Sequence, residues 1–219
     1  MASAVSHRVF KESGYIFFRK HNDAKAYPAP ANIQNPTAEE AAAIEAYLKE
    51  LAAPEFWIGL LKGGYSFAST ITALSDQDDM GILKVDDVQD EKATSTFSLF
   101  NPNTKVIEQV YPMSKYGESA DGKLKIASLG GIANKKDEAY DVLFVHPDTA
   151  EGDICIYSIG KNISGLTIDF KPGAVTPLPC SYASQTLNST GVLAYVTEHD
   201  KAVRIFTPPA DNTDAELTG

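Results

Sequence analysis

The chain is poor in the side chains that carry most enzymatic chemistry. It holds four histidines (His7, His21, His146 and His199) and two cysteines, Cys155 and Cys180. Two cysteines make no disulfide framework and suit a reducing compartment. No C-x-x-C or H-E-x-x-H spacing offers a metal site, and no G-x-S-x-G elbow presents a nucleophilic serine. Gly63-Gly64 and Gly130-Gly131 are isolated pairs that match neither phosphate-binding glycine pattern, and they read as turns. Basic charge is also short: 19 Lys and Arg against 29 Asp and Glu, a net charge of -10. Free nucleic acid needs clustered Lys and Arg, so it is an unsuitable ligand. No apolar run approaches the ~18–20 residues of a membrane span, and no membrane insertion is expected. The start, MASAVSHRVF, lacks a positive region followed by an apolar core, so no secretory signal is read there. On that reading the triplets at Asn162-Ile163-Ser164 and Asn188-Ser189-Thr190 are chance glycosylation matches. Catalytic, cofactor-binding and metal-binding residues are all read as none, and the chain is not expected to be an enzyme.

What the sequence does have is material for a core. Of 219 residues, 43% are hydrophobic and 10% aromatic, which suits one large domain without staples. Residues 1–13 read as a flexible polar arm, 14–207 as one β-rich domain, and 208–219 as an acidic tail that frays. One helix is well signalled over 37–51. Thr37 and Glu40 form a capping box, and Ala41, Ile44, Tyr47, Leu48 and Leu51 share one face, with Glu45 and Lys49 outward. Residues 22–36, with three prolines, read as an extended loop.

Elsewhere the period is two. Strands are expected at Tyr15–Arg19, Tyr65–Ala73, Thr94–Phe100, Ala139–Val145, Asp153–Ile159, Leu166–Phe170 and Val192–Thr197. Ala202–Phe206 is expected to close a terminal hairpin through residues 198–201. In Tyr65–Ala73, the residues Tyr65, Phe67, Ile71 and Ala73 share one face, and Tyr65 and Phe67 are expected in the core. Cys155, between Ile154 and Ile156, reads as a core filler. Short strands at short intervals indicate a sandwich or small barrel rather than β-α-β units. Residues 112–137 hold Gly117, Gly122, Gly130 and Gly131 and read as a long mobile loop, with one short strand at Lys123–Ala127.

Two local patterns invite over-reading. Asp76, Asp78 and Gly81 fit positions one, three and six of a calcium loop, but Met80 is no side-chain ligand, Lys84 has the wrong sign and Asp87 replaces the bidentate Glu. Together with Asp79, Asp86, Asp90 and Glu91 they read as a solvated acidic loop. His146-Pro147-Asp148, a co-chaperone signature between helices, follows a strand-like run here and reads as a strand end entering a turn.

Three stretches carry a resemblance. Leu60-Leu61-Lys62-Gly63-Gly64-Tyr65 is a leucine- and glycine-containing turn, and residues 66–83 form a strand of small hydroxylated residues with an acidic loop. A Thr-rich strand follows from Glu91 through Phe100. Ala139–Val145 is the second stretch, and Gly173-Ala174-Val175-Thr176 after Pro172 the third. Together, over roughly residues 56–206, they resemble the major tail tube proteins of long-tailed bacteriophages, whose fold is related to that of contractile-tail and type VI secretion tubes. The resemblance implies an antiparallel β-sandwich or small barrel with one flanking helix, a long loop and flexible terminal arms. It implies self-assembly into stacked, hexameric rings that form a conduit for DNA. The implied partners are copies of the chain itself, a tape measure protein and other tail proteins, with DNA only in non-specific transit. The implied place is the virion tail, after assembly in the host cytoplasm. Asp169 is one candidate for an inward-facing acid. Alternative readings are another virion component (a tail terminator or decoration protein) or a carbohydrate-binding β-sandwich module.

Overall fold

The runs Ile16-Phe17-Phe18 and Val142-Leu143-Phe144-Val145 do not alternate with polar residues. Strands of that kind must be buried on both faces. The computed structural model, which describes residues 14–77, 84–100, 103–148, 150–168 and 177–207, shows how. In chain order the elements are β1 (Tyr15–Lys20), α1 (Ala38–Leu51), β2 (Trp57–Gln77), β3 (Lys84–Phe100), α2 (Thr104–Val110), β4 (Ser114–Glu118) and β5 (Lys125–Leu129). Then come β6 (Tyr140–His146), β7 (Ile154–Asn162), β8 (Pro177–Gln185) and β9 (Tyr195–Glu198). All pairings are antiparallel. β1 pairs with β2, β2 with β3, β3 with β8, β8 with β7, β7 with β6, and β6 again with β1. The ladder therefore closes on itself, which removes free edges from the body. β9 adds to β7 alongside Ile154–Tyr157, and β4 and β5 form a separate hairpin.

Strand parity sorts the core into two compartments. Ile16, Phe18, Phe97, Leu99, Val142, Leu178, Cys180 and Tyr182 point inward, joined by Val106, Ile107 and Val110 of α2. Phe17, Leu143, Val145, Cys155, Tyr157 and Ile159 point outward, under Ile44, Tyr47, Leu48 and Leu51 of α1 and under Ile205 and Phe206. Each such aliphatic or aromatic side chain contributes about 1.5–3 kcal/mol when withdrawn from water. Packing, more than propensity, therefore holds α1 in place.

Local chemistry sets the ends of α1. The Glu40 backbone N–H donates to Thr37 Oγ1 at 3.2 Å, and the Thr37 N–H donates to Glu40 Oε2 at 2.8 Å. The Ala31 N–H also donates to Glu40 Oε1; with the Thr37 bonds this holds the Glu40 carboxyl below its usual range. Lys49 and Glu45 pair at 2.5 Å on the exposed face. Asn103 caps α2 by accepting from the Val106 N–H at 2.9 Å. The far end of α2 is fastened to the body at the Val110 carbonyl, which accepts from Asn162 Nδ2 and from the Tyr182 hydroxyl.

The helix at 37–51, the strands over Tyr15–Arg19, Thr94–Phe100, Ala139–Val145 and Asp153–Ile159, and the strand end at His146 are as the sequence indicates. Several expectations are corrected. A second helix, α2, accompanies the expected one. Residues 112–137 are not a long loop: β4 and β5 pair across Ser119–Leu124. Leu166–Ile168 is not a strand but packs Leu166 and Ile168 on the inner cluster. Ala202–Phe206 forms no hairpin strand, because the Asp153 carboxylate takes the Ile205 N–H at 2.8 Å and the Phe206 N–H at 3.4 Å. The Val192–Thr197 strand shortens to β9. Gly63 and Gly64 are not a turn between elements but sit within β2. Asp86, Asp87, Asp90 and Glu91 lie on strand β3 rather than in a loop. The two terminal arms, Asp78, Asp79, Met80, Gly81, Asp169 and Gly173–Thr176 fall outside the described residues.

The Gly63-Gly64 irregularity positions everything beyond it. Leu61 pairs with Leu99 and Tyr65 with Phe97, so β2 carries two more residues than β3 across this step. Both glycines adopt positive φ, 85° and 87°, and nothing lies within 4 Å of where a Cβ would stand. A side chain there would meet backbone strain rather than a clash. Gly64→Ala should lower stability by about 1–2 kcal/mol, read as a shift of the urea midpoint. Gly64→Asn should cost less, since asparagine tolerates this region.

Candidate functional site

The most distinctive surface is the outer part of the β2–β3 hairpin. Among the described residues, β1 pairs with β2 only up to Leu60, and β8 pairs with β3 only from Thr94. From Ser66 to Gln77 and from Lys84 to Ala93, the two strands extend as an arm. Ten strand residues at ~3.3 Å each span roughly 30 Å. Pairs directly opposite share a face, so Phe67 lies with Ser95, Ser69 with Ala93, Ile71 with Glu91 and Ala73 with Val88. Ala68, Thr70 and Thr72 lie on the other face with Thr94, Lys92 and Asp90. Ile71 is 59% exposed and Val88 61% exposed. The expectation of core packing holds for Tyr65, whose ring stacks on Phe144 at 4.5 Å and whose hydroxyl reaches Ser95 Oγ at 2.8 Å. Burial pushes the Tyr65 phenol up to about 12. Phe67 is half-buried where the arm leaves the body, and Ile71 and Ala73 are exposed.

A second exposed surface is the β4–β5 hairpin. Asp121-Gly122 turns it, and Gly122 adopts φ 69°. Asp-Gly between short runs is a strong hairpin signal that should have identified it. Ser114 is buried and donates to the Tyr111 carbonyl at 2.6 Å, which marks the face turned toward α2. Lys115, Gly117, Ile126 and Ser128 share the opposite face. Ile126 is 58% exposed and Leu124 60%.

Beneath α1 lies a buried polar cluster that the sequence reading missed. Asp141, on the outward face of β6, is fully buried. Its Oδ2 accepts from Arg19 Nε at 3.0 Å and Nη2 at 2.8 Å, and its Oδ1 from the Tyr157 hydroxyl at 3.1 Å. His21 Nδ1 lies 2.6 Å from the same Oδ1. Arg19 also donates to the Tyr47 hydroxyl at 2.7 Å and to Glu50 at 3.1 Å. Burial pulls the guanidinium pKa down, but the Asp141 bond and the surrounding negative groups raise it further, and the net direction is up. Burial and then the Asp141 charge push the Tyr157 phenol well up. The signal was present: Arg19 and Asp141 are lone charges at the same parity in two apolar runs. The buried polar atoms of Arg19, Tyr47, Asp141 and Tyr157 are each matched to another protein group, as in a structural cluster.

The remaining candidates are dispersed. Cys155 is buried and its thiol is pushed up by burial and by Asp153, while burial raises Cys180 to about 12; neither is an activated nucleophile. His146 ends β6, and His199 lies 3.0 Å from Thr197 Oγ1. Among the described residues no group of three His, Cys, Asp or Glu side chains could hold a metal ion. Asp76 and Asp87, the first and last positions of the calcium-loop pattern, belong to paired strands. Among the described residues no helix is long and apolar enough to cross a membrane. No protein-family model matches the sequence, and no curated protein matches it.

Removing one partner of a buried ion pair leaves the other uncompensated. Asp141→Ala should therefore cost about 3–5 kcal/mol in urea unfolding. The double change Arg19→Met, Asp141→Leu should recover most of that loss. A pH effect is expected at His199. Burial, opposed by Glu45 and Asp153 and aided by Lys49, holds its imidazole below the ordinary 6.5. The neutral form is favoured in the folded state, so its contribution is complete above the unfolded value and is lost as pH falls through the folded one. His199→Gln should reduce the stability difference between pH 7.5 and pH 5 relative to the unmodified chain.

Proposed function

We propose that this protein is a structural subunit that assembles with copies of itself into rings stacked as a tube, in the manner of the major tail tube proteins of long-tailed bacteriophages. One observation carries the reading: a body whose strands close on themselves extends a long two-stranded arm whose outer edges have no strand partner among the described residues. Proteins that stay alone shorten, cover or charge such edges, because edges template pairing with another chain. An arm of this length is an assembly element. On this reading copies of the chain, a tape measure protein and other tail proteins are the partners, and DNA is transient cargo. The net charge of -10 suits that role, because an acidic wall repels phosphates and lets them pass. The place of action is the virion tail, and no catalysis is assigned.

A carbohydrate-binding module would need an exposed aromatic platform. Tyr65 and Phe67 are the candidates; Tyr65 is stacked on Phe144 and Phe67 is half-buried, which counts against that reading. Negative-stain electron microscopy over a concentration series tests the proposal. Rings or tubes with a central channel are expected. Monodisperse monomers throughout, after long incubation at high concentration, would shift the assignment to a virion accessory or a binding module.

A further inference from the structure

We propose that the apolar face of the β2–β3 arm of one copy packs on the outward face of the β4–β5 hairpin of a second copy, with Glu91 set against Lys115. The inference rests on the self-assembly reading and names the surfaces that would carry it.

Three observations converge on the second copy as the occupant. The first is apolarity. The arm face that carries Ile71, Ala73 and Val88 and the hairpin face that carries Ile126 are both open in the single chain, so neither covers the other. The second is charge. Residues 66–95 hold seven acids (Asp76, Asp78, Asp79, Asp86, Asp87, Asp90 and Glu91) against two lysines, whereas residues 114–129 of the hairpin hold three lysines against two acids. Two arms face to face would oppose acid to acid, and two hairpins face to face would set Lys115 against Lys115, because Lys123 and Lys125 are paired with Asp121 and Glu118 of the same hairpin. Arm on hairpin is the pairing that brings opposite signs together. The third is placement. Glu91 lies on the apolar face of the arm, opposite Ile71, and Lys115 lies on the outward face of the hairpin with Ile126. By register the arm face also carries Asp86 and Lys84 and stays net acidic, whereas Lys115 is the one charge among Lys115, Gly117, Ile126 and Ser128 of the hairpin face, so the two faces are of opposite sign.

Such a contact is heterologous, because it joins two different surfaces of the same chain. After the first contact one copy keeps a free hairpin and the other a free arm, so association continues until the rotation closes a ring or propagates a filament. The aliphatic side chains supply the contact and the charges set its orientation and exclude the like-on-like pairings.

Cysteine cross-linking of the full chain tests this directly, since both native cysteines are buried. Ile71→Cys and Ile126→Cys variants, mixed and treated with copper phenanthroline, should give a covalent dimer that neither variant gives alone. Charge reversal is the second readout. Glu91→Lys and Lys115→Glu should each raise the concentration needed for assembly by about tenfold or more, and the two variants mixed should assemble better than either alone. Rings or tubes from the unmodified chain without the mixed disulfide would overturn the inference and leave the tube reading standing. The mixed disulfide without rings or tubes would uphold the contact and overturn the tube. Monomers with no mixed disulfide would overturn both.

Discussion

A single carboxylate organises the outer half of this molecule. Asp141 is withdrawn from water on the middle strand of three, where an uncompensated charge would cost several kcal/mol. Its compensation comes from β1 through Arg19, from β7 through Tyr157 and from the following loop through His21. Arg19 in turn holds Tyr47 and Glu50 on α1. Tyr27 stacks on Tyr157 at 4.7 Å and on Tyr195 at 4.6 Å, which seats the proline-rich loop beside β9. Five segments distant in sequence are thereby fixed to one point. Apolar packing alone would let α1 slide along the sheet; a forked guanidinium on a fixed carboxylate does not.

Much of the fold was legible because local signals agreed with the tertiary outcome. The capping box at Thr37 and Glu40, the apolar face of α1 and the continuous apolar runs of β1 and β6 each specify one arrangement. The failures have physical causes. Ala202–Phe206 has strand composition, yet the Asp153 carboxylate takes the backbone N–H groups that a ladder would have used. Leu166–Ile168 alternates like a strand and is held by burial instead. Residues 112–137 were read through their glycines, although Asp121-Gly122 is the turn of a hairpin. β8 was missed because Pro177 and Pro179 obscure a strand whose inward residues are Leu178, Cys180 and Tyr182. α2 is only seven residues long, too short for periodicity to declare itself.

The alternating stretch at Tyr65–Ala73 misled in a more informative way. Alternation marks a strand with two unlike faces, but it does not say what covers the apolar one. At Tyr65 the cover is the interior of the same chain. At Ile71 and Ala73 the same pattern runs on where the described residues supply no cover. A sequence that keeps its core pattern beyond its own core is encoding a face for something else, and the proposed second copy meets that demand.

The two glycines at 63 and 64 also give the molecule a mechanical property. They interrupt the ladder on β2 just before the arm departs, so on that strand the direction of the arm follows from a few backbone torsions, while β3 runs into the arm from its pairing with β8. Over a length of roughly 30 Å, a rotation of a few degrees at that joint carries the far end through several ångströms. The arm is a lever with its fulcrum at the edge of the body. In the proposed assembly, small differences in curvature between copies would be absorbed at this joint while the packed interior stays undisturbed.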